Sequence, residues 1–487
     1  MMTSSRPNIL LIQPDQQRYD CLGRAGHPLV KTPAIDRLAS EGVWFTHAFT
    51  PTPTCCPARQ SLLCGKWAEQ HGGLLNYSAG FPLKLFAEPT WAEALADAGY
   101  TPGYVGCWEV HPTKTPLDYG FRDWIRAPDY ASWRKANHLP DPVPDAERMP
   151  ELKGYPVARW FGGLDPVKVE QSRTHWYAER VIELMRRYQR EGRPWHIRLS
   201  FEEPHLPCFP AGRFAEMYPP ERIPPWGSFQ ERFENKPYIQ RQQLVTWGLE
   251  GLSWREWALF VSHYLGMVSQ IDAAIGHVLA ALDALDLADS TLVIYTTDHG
   301  DNCGGHRMID KHYVMYEDVV HVPLAMRWPG VITPGQVRKE FVVHALDLAS
   351  TICEAAGLPI PTDYQGHSLM PLARGESPAD WREDVVATYH GAQFGLYEQR
   401  MLRDRRFKYV WNPTDVDELY DLEADPWELQ NLVGRPEYAE TLCRMRQRLL
   451  ARLTAQGDGI VRTDWMRRQL SEGRKLDATC QLASALR

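Results

Sequence analysis

Three cysteines fall within ten residues in "TPTCCPARQSLLCGK" (52–66), with a proline and an arginine behind the first two and glycine near the end. A thiolate oxidises readily and captures metals, so such a density is either buried filler or a reagent. Pro57 suits the first turn of a helix and Gly65 its C-terminal cap. "PARQSLLCG" is therefore predicted as a short helix with Cys55 and Cys56 at or just before its N-terminus. Unpaired amides and the helix dipole favour an anion there and are expected to depress a thiol pKa. Arg59, one turn in, can fold its guanidinium back over the same spot. A small buried hydrophobe accounts for Cys64 but not for Arg59 behind Pro57.

Several apolar, β-branched runs each end in a polar, chemically loaded loop. "NILLIQ" (8–13) leads to Pro14-Asp15-Gln16, and "GYVG" (103–106) to Cys107-Trp108-Glu109. "HIRLSF" (196–201) leads to Glu202-Glu203-Pro204-His205, and "TLVIYTT" (291–297) to Asp298-His299-Gly300. Continuous apolar runs of this kind suit strands buried on both faces of a parallel sheet. Between them, Ser253-x-x-Glu256 opens a long helix as a capping box. Its positions Trp257, Val261, Tyr264, Val268, Ile271, Ile275, Val278 and Leu282 form one apolar stripe. Alternating strands and helices give a doubly wound α/β fold, whose ligands gather beyond the carboxyl ends of the strands. All four loaded loops belong at that edge.

After about residue 385 the pattern changes. "DVVATYHG", "RRFKYVW" and "ELYDL" read as antiparallel strands, and a helix follows from Pro436 to about Gly457. The division expected is a catalytic α/β domain over 1–384 and a small α+β domain with a tail over 385–487. The stretches 127–170 and 209–250, rich in Pro, Trp and Tyr, are expected to be long excursions over the site.

The 487-residue chain is 44% hydrophobic and 23% charged, an ordinary globular composition. Its net charge of −8 argues against a nucleic-acid partner. No run approaches the roughly 18 apolar residues of a membrane span, and the N-terminus lacks a signal-peptide core. The ten cysteines are too sparse for a disulfide framework, and no Cys-x-x-Cys pair suggests a zinc knuckle. A reduced, cytoplasmic protein with mostly buried thiols is expected. The tail 463–487 leaves a homo-oligomer open, as a helical arm onto a neighbouring subunit or a frayed end.

Cys55-Cys56-Pro57-Ala58-Arg59, followed by Leu63-Cys64-Gly65, resembles the Cys-x-Pro-x-Arg signature of the sulfatases, members of the alkaline phosphatase superfamily. The resemblance covers nearly the whole chain and implies an alkaline-phosphatase-like fold. Asp15 stands at the family's first metal ligand, with Gln16 where many members have a second aspartate. Asp298-His299 match its late metal pair, and His205, in "EEPHLP", matches its Pro-His-x-Pro histidine. Lys311, in "KHYVMYEDVVHVPL", matches its lysine, and "ELYDLEADPWELQNL" (418–432) resembles its C-terminal segment. In that family the signature cysteine is oxidised by a formylglycine-generating enzyme to formylglycine, held as its hydrate; Cys55 is that residue and Cys56 a spectator. One hydroxyl attacks sulfur to give a covalent sulfated enzyme, and the other lets it collapse to aldehyde and sulfate. The resemblance thus implies a small anionic ester as substrate. Mainly oxygen ligands from Asp15, Gln16, Asp298 and modified Cys55, plus the His299 imidazole, suit Ca²⁺ or Mn²⁺, with Mg²⁺ a further candidate. Arg59 is expected to hold the hydrate, and Lys311 and His205 the leaving oxygen, His205 as general acid.

Sulfatases commonly read Gly-Lys-Trp-His after the next strand, where this chain reads Gly106-Cys107-Trp108-Glu109. An ionised Glu109 about 6 Å from a monoanion costs about 3 kcal/mol at an effective dielectric near 20. Three readings stay open. Glu109 turns away while His111 or Lys114 supplies the lost charge; Glu109 pairs with a cationic part of the substrate; or the substrate is not a sulfate ester. The related phosphonate monoester and phosphodiester hydrolases keep the cysteine signature without that Lys and His, and often carry Asp-Gln at the first loop. A binding-only homologue with unmodified Cys55, or a zinc phosphatase using Thr54, are further alternatives.

Overall fold

The computed structural model describes residues 6–81, 83–149, 154 and 157–475; Cys480 and the end of the tail lie outside them. Eight strands build the main sheet: β1 (Asn8–Asp15), β2 (Val43–Phe45), β3 (Thr101–Gly106), β4 (Asp123–Ile125), β5 (Trp195–Pro204), β6 (Thr291–Thr296), β7 (Leu324–Arg327) and β8 (Gln336–Arg338). Their order is β8–β2–β7–β6–β1–β5–β3–β4. Neighbours are parallel except around β7, which runs antiparallel to both β2 and β6. The fold is the mostly parallel, doubly wound α/β architecture expected.

Strand alternation supplies two cores. Leu10 and Ile12 of β1 face one side, where helices α3 (Arg173–Glu191) and α4 (Trp254–Ala284) pack. Ile9 and Leu11 face the other, with α1 (Cys55–Cys64), α2 (Trp91–Asp97) and α5 (His344–Ala355). Burial on both faces is why these strands read as unbroken apolar runs. Ser253 caps α4 as expected, and all eight stripe positions are buried. Contrary to the expectation that no segment comes near a membrane span, α4 is long and apolar enough to cross a bilayer by length and composition. In this fold 72% of its most apolar window is buried against protein. The helix is apolar all round because it is covered on several sides.

The described residues of the 127–170 and 209–250 stretches are partly structured. Arg134 pairs with Asp165, and the Asp145 carboxylate meets His263 of α4 at 2.6 Å. Trp226 donates to the Cys303 carbonyl and Gln243 to that of His312, beside Lys311. Trp133, Trp160, Trp226 and Trp247 are partly buried against the core on the α3–α4 side.

A second, antiparallel sheet has the order β9 (Val385–Ala392), β10 (Gly395–Arg403), β11 (Phe407–Trp411), β12 (Glu418–Asp421). The strand β10 was not among those expected: its Glu398-Gln399-Arg400 centre is polar, yet Arg400 is buried by pairing with Asp458 and Glu398. Helix α6 (Ala439–Gln456) covers the sheet with Leu442, Met445, Leu449 and Leu453. His390, on β9, lies between Glu69 (2.9 Å) and Glu398 (2.9 Å) and so links the small sheet to the segment after α1. Burial opposes its charge, yet the two carboxylates raise its pKa above the ordinary histidine value. That stabilisation is complete below the unfolded histidine pKa and fades as pH rises through the folded one. His390→Leu is expected to cost about 2 kcal/mol at pH 5 by denaturant melts, and progressively less at alkaline pH.

Candidate active site

Every residue of α1 is buried. Thr54 precedes it in extended conformation, and Gly65 ends it at φ 65°, where a Cβ would strike the Tyr364 ring at 2.5 Å. The helix N-terminus thus meets the carboxyl edge of the sheet between β1 and β6. There Cys55 Sγ lies 3.2 Å from His299 Nε2. Ligand atoms of Asp15, Cys55, Asp298 and His299 all fall within 4.8 Å of one another. Cys56 points into the protein, its thiol pushed up to about 12 by burial, in keeping with a spectator.

Beneath this cluster Arg59 makes four bonds. Nη2 reaches Asp15 Oδ2 (2.7 Å) and Nε reaches Asp298 Oδ2 (2.9 Å). Nη1 donates to Ser200 Oγ (2.8 Å) and to the Cys107 carbonyl (3.1 Å). Arg59 thus lies against the cluster that holds Cys55 and supplies a counter-charge to its two buried carboxylates. Burial, then Asp298, raise the Asp15 pKa well above the carboxylate range, and Asp15 Oδ1 is buried without a hydrogen-bond partner. This is a site that wants a cation. His299 donates from Nδ1 to the Gly300 carbonyl (2.9 Å), and burial holds its pKa near 3. Its neutral Nε2 therefore faces the cluster as a ligand nitrogen.

The expected depression of the Cys55 thiol does not occur. Burial, with Asp15, Glu109 and Asp298 nearby, pushes it well above the ordinary thiol value against the pull of Lys311. The helix N-terminus is outweighed by burial and three carboxylates.

Gln16, at φ 65°, donates its backbone N–H to Asp298 Oδ1 (3.0 Å). Its side-chain oxygen accepts from Lys311 Nζ (2.7 Å) and its amide nitrogen donates to Asp301. An amide oxygen has two lone pairs, so this bond leaves one for an ion. Lys311 also meets His205 Nε2 (2.9 Å) and Asp310 (3.2 Å). Burial opposes its charge, but Asp310, with Cys55 and Asp15 beyond, holds its pKa well above that of an ordinary lysine. His205 donates from Nδ1 to the Leu206 carbonyl (2.7 Å), and burial and Lys311 lower its pKa. Its Nε2 accepts a proton bond instead of offering one. His205 and Lys311 thus face one another at the sheet edge.

Cys107 and Glu109 turn toward the site. Cys107 Sγ and carboxylate oxygens of Asp15 and Glu109 lie within 4.8 Å of one another. Of the three readings of Glu109, the one in which it turns away does not match this geometry. His111 accepts from the backbone of Thr113 (3.1 Å) and Lys114 (2.8 Å), while the Lys114 ammonium lies over the Tyr119 ring at 5.6 Å. Neither joins the clusters just described, because the loop folds on itself. Glu202 and Glu203 turn to Arg173.

Ser200, Asp301 and Asp310 were not singled out from the sequence. Asp301, three residues after Asp298, and Asp310, beside Lys311, stood next to named residues and carried that much signal; Ser200, inside an apolar strand, carried none.

The sulfatase family model matches residues 7–358, and a model of the C-terminal part of N-sulphoglucosamine sulphohydrolase matches 304–455. The chain is 29% identical to an arylsulfatase of Clostridium perfringens over 93% of its own length and 96% of that protein's. It is 26% identical to an N-acetylglucosamine-6-O-sulfatase of Bacteroides thetaiotaomicron, over 92% and 86% of the two chains. Among solved structures, a phosphonate monoester hydrolase from Silicibacter pomeroyi superposes with a TM-score of 0.79 at 25% identity, covering 93% of this chain and 96% of that one. With a family match spanning most of the sequence and a fold that gathers Asp15, Cys55, Asp298 and His299 at one sheet edge, the chain belongs to the sulfatase family and is a sulfuric ester hydrolase.

Proposed function

We propose that the protein cleaves small sulfate esters through Cys55, matured to formylglycine by a formylglycine-generating enzyme, beside one divalent cation. The observation that carries this is the placement of a buried, high-pKa Cys55 thiol among Asp15, Asp298 and His299. As a thiol it is a poor nucleophile; as an aldehyde hydrate it supplies two hydroxyls to the same spot. Asp15, Asp298, His299 and the modified Cys55, with Gln16 adjacent, would hold the ion, which would supply Lewis-acid polarisation and make the hydrate more acidic. One hydroxyl bonds to sulfur as the alcohol departs. The other then loses its proton and the C–O bond to sulfate breaks, restoring the aldehyde. Arg59 fixes the two carboxylates and so the distance between ligands. Lys311 donates to the leaving oxygen and His205 orients it through Nε2. The oxygen-rich donor set, with one imidazole, favours Ca²⁺ or Mn²⁺, with Mg²⁺ also accommodated.

A second reading, a phosphonate monoester or phosphodiester hydrolase with the same nucleophile, is favoured by Cys107 and Glu109 facing the site where sulfatases present two cationic donors. A degenerate, binding-only homologue is the least supported, because the cluster is complete.

The peptide Leu38–Arg59 from protein made in its native host is expected to be lighter by about one water and to be trapped by a hydrazine; an unmodified thiol throughout would overturn the mechanism. Cys55→Ala should abolish turnover, and Thr54→Ala should keep it. At matched leaving group, an aryl sulfate is expected to exceed a phenylphosphonate ester in kcat/KM by at least about tenfold, a 1.4 kcal/mol preference; the reverse order would move the protein to the phosphonate reading. Arg59→Met should lose about 3–5 kcal/mol of stability. Added Ca²⁺ or Mn²⁺ should raise its melting temperature more than that of the wild type, whereas equal shifts would remove the ion from the Asp15–Asp298 pair.

A further inference from the structure

The loop after β3 sets a carboxylate at the mouth of the catalytic cluster. A Glu109 carboxylate oxygen lies within 4.8 Å of ligand atoms of Asp15 and Cys107. After burial, which dominates, the charge of Glu109 adds to the upward push on the Cys55, Cys56 and Cys107 thiols and on Asp15. The cations around it are engaged elsewhere. Arg59 is bonded to Asp15, Asp298, Ser200 and the Cys107 carbonyl, and Lys311 to Gln16, His205 and Asp310. Lys114 lies over the Tyr119 ring. Glu109 itself makes no hydrogen bond or ion pair among the described residues. Tyr77 stands nearby: its backbone bonds the Cys56 thiol, and its ring lies 6.1 Å from that of His111 on the Glu109 loop.

We propose that Glu109 is a specificity residue, selecting esters whose alcohol carries an ammonium group. The proposal rests on the Asp15 cluster being the catalytic centre described above. An ester bound there brings its anionic group beside the Glu109 carboxylate, and like charges so placed repel. An ammonium on the departing alcohol turns that repulsion into attraction, and the same carboxylate then discriminates against the uncharged alcohol. The substrate is thus a zwitterion, its anionic end toward the Asp15–Asp298 cluster and Lys311, its ammonium toward Glu109. The positive charge that the loop lacks at positions 107 and 109 arrives with the substrate. Because Glu109 is open to solvent, an incoming ammonium strips little water from it, and the pair adds discrimination more than raw affinity. An aromatic ring beside a carboxylate suits the same organic cation.

Aminoethyl sulfate and propyl sulfate have nearly the same shape and differ in that one charge. Calorimetry in full-length Cys55→Ala protein with Mn²⁺ present, where neither ester is turned over, should give aminoethyl sulfate the lower Kd by about tenfold or more. Adding Glu109→Gln, which keeps the side-chain shape, should erase that ratio by weakening the aminoethyl ester and tightening the propyl one. A merely structural role for Glu109 would weaken both alike. Raised salt should shrink the preference. Equal binding of the two esters, or a ratio unchanged by Glu109→Gln, would overturn the proposal. The same two alcohols as methylphosphonate monoesters separate this failure from that of the sulfate reading. A preference there with neither sulfate bound would keep the role of Glu109 and move the acid to phosphonate, whereas no preference on either acid would remove the role. Failure of Cys55 to mature in the wild type would undo the formylglycine reading and leave these ratios in Cys55→Ala protein intact.

Discussion

The guanidinium of Arg59 is the point on which the site is built. It is fully buried and bonded to two central strands and to the loops after two others: Asp15 on β1, Ser200 on β5, Asp298 after β6 and Cys107 after β3. Two carboxylates this deep in protein are costly unless paired. One planar fork that serves both at once fixes their separation as well as their charge. Because Arg59 sits one turn into α1, the same contacts fix where Cys55 stands relative to the ligands. The position of Cys55 and that of the two carboxylates are consequences of one interaction.

The electrostatics of the pocket follow from burial. Asp15 is pushed up, His299 is held neutral and the Cys55 thiol is raised. Asp310 beside Lys311 holds its pKa up against burial, while burial, with Lys311 adjacent, lowers that of His205. The result is a buried lysine with its imidazole neighbour, a carboxylate pair clamped by one arginine, and a thiol raised beside them at metal-ligand spacing.

The deep part of the site and its rim differ in kind. Asp15, Asp298, His299, Arg59 and Lys311 lie under the sheet edge with at most slight exposure, where each has a partner that locks it. Cys107 and Glu109 lie on a loop open to solvent, and Glu109 is exposed. Changes on that loop alter what the site meets without disturbing the carboxylate clamp, so a sulfatase framework can carry a rim of opposite charge.

Residue order alone determined the four adjacent strands β6, β1, β5 and β3 of the main sheet, the capped helix α4, the helix at Cys55 and the grouping of Asp15, Cys55, Asp298 and His299, because each depends on local periodicity or on a motif; the short strands β2, β4, β7 and β8 carried too little pattern. Strand β10 escaped, since its buried polar residues are stabilised only by partners distant in sequence, such as Asp458. Tertiary structure alone decided three matters. It bonded Arg59 to both carboxylates, set His205 Nε2 against Lys311 Nζ, and brought a Glu109 carboxylate oxygen within 4.8 Å of ligand atoms of Asp15 and Cys107. Each outcome depends on distances between groups from different strands and on how much water the fold excludes. A sequence names the charged groups; only packing fixes which of them meet, and at what dielectric cost.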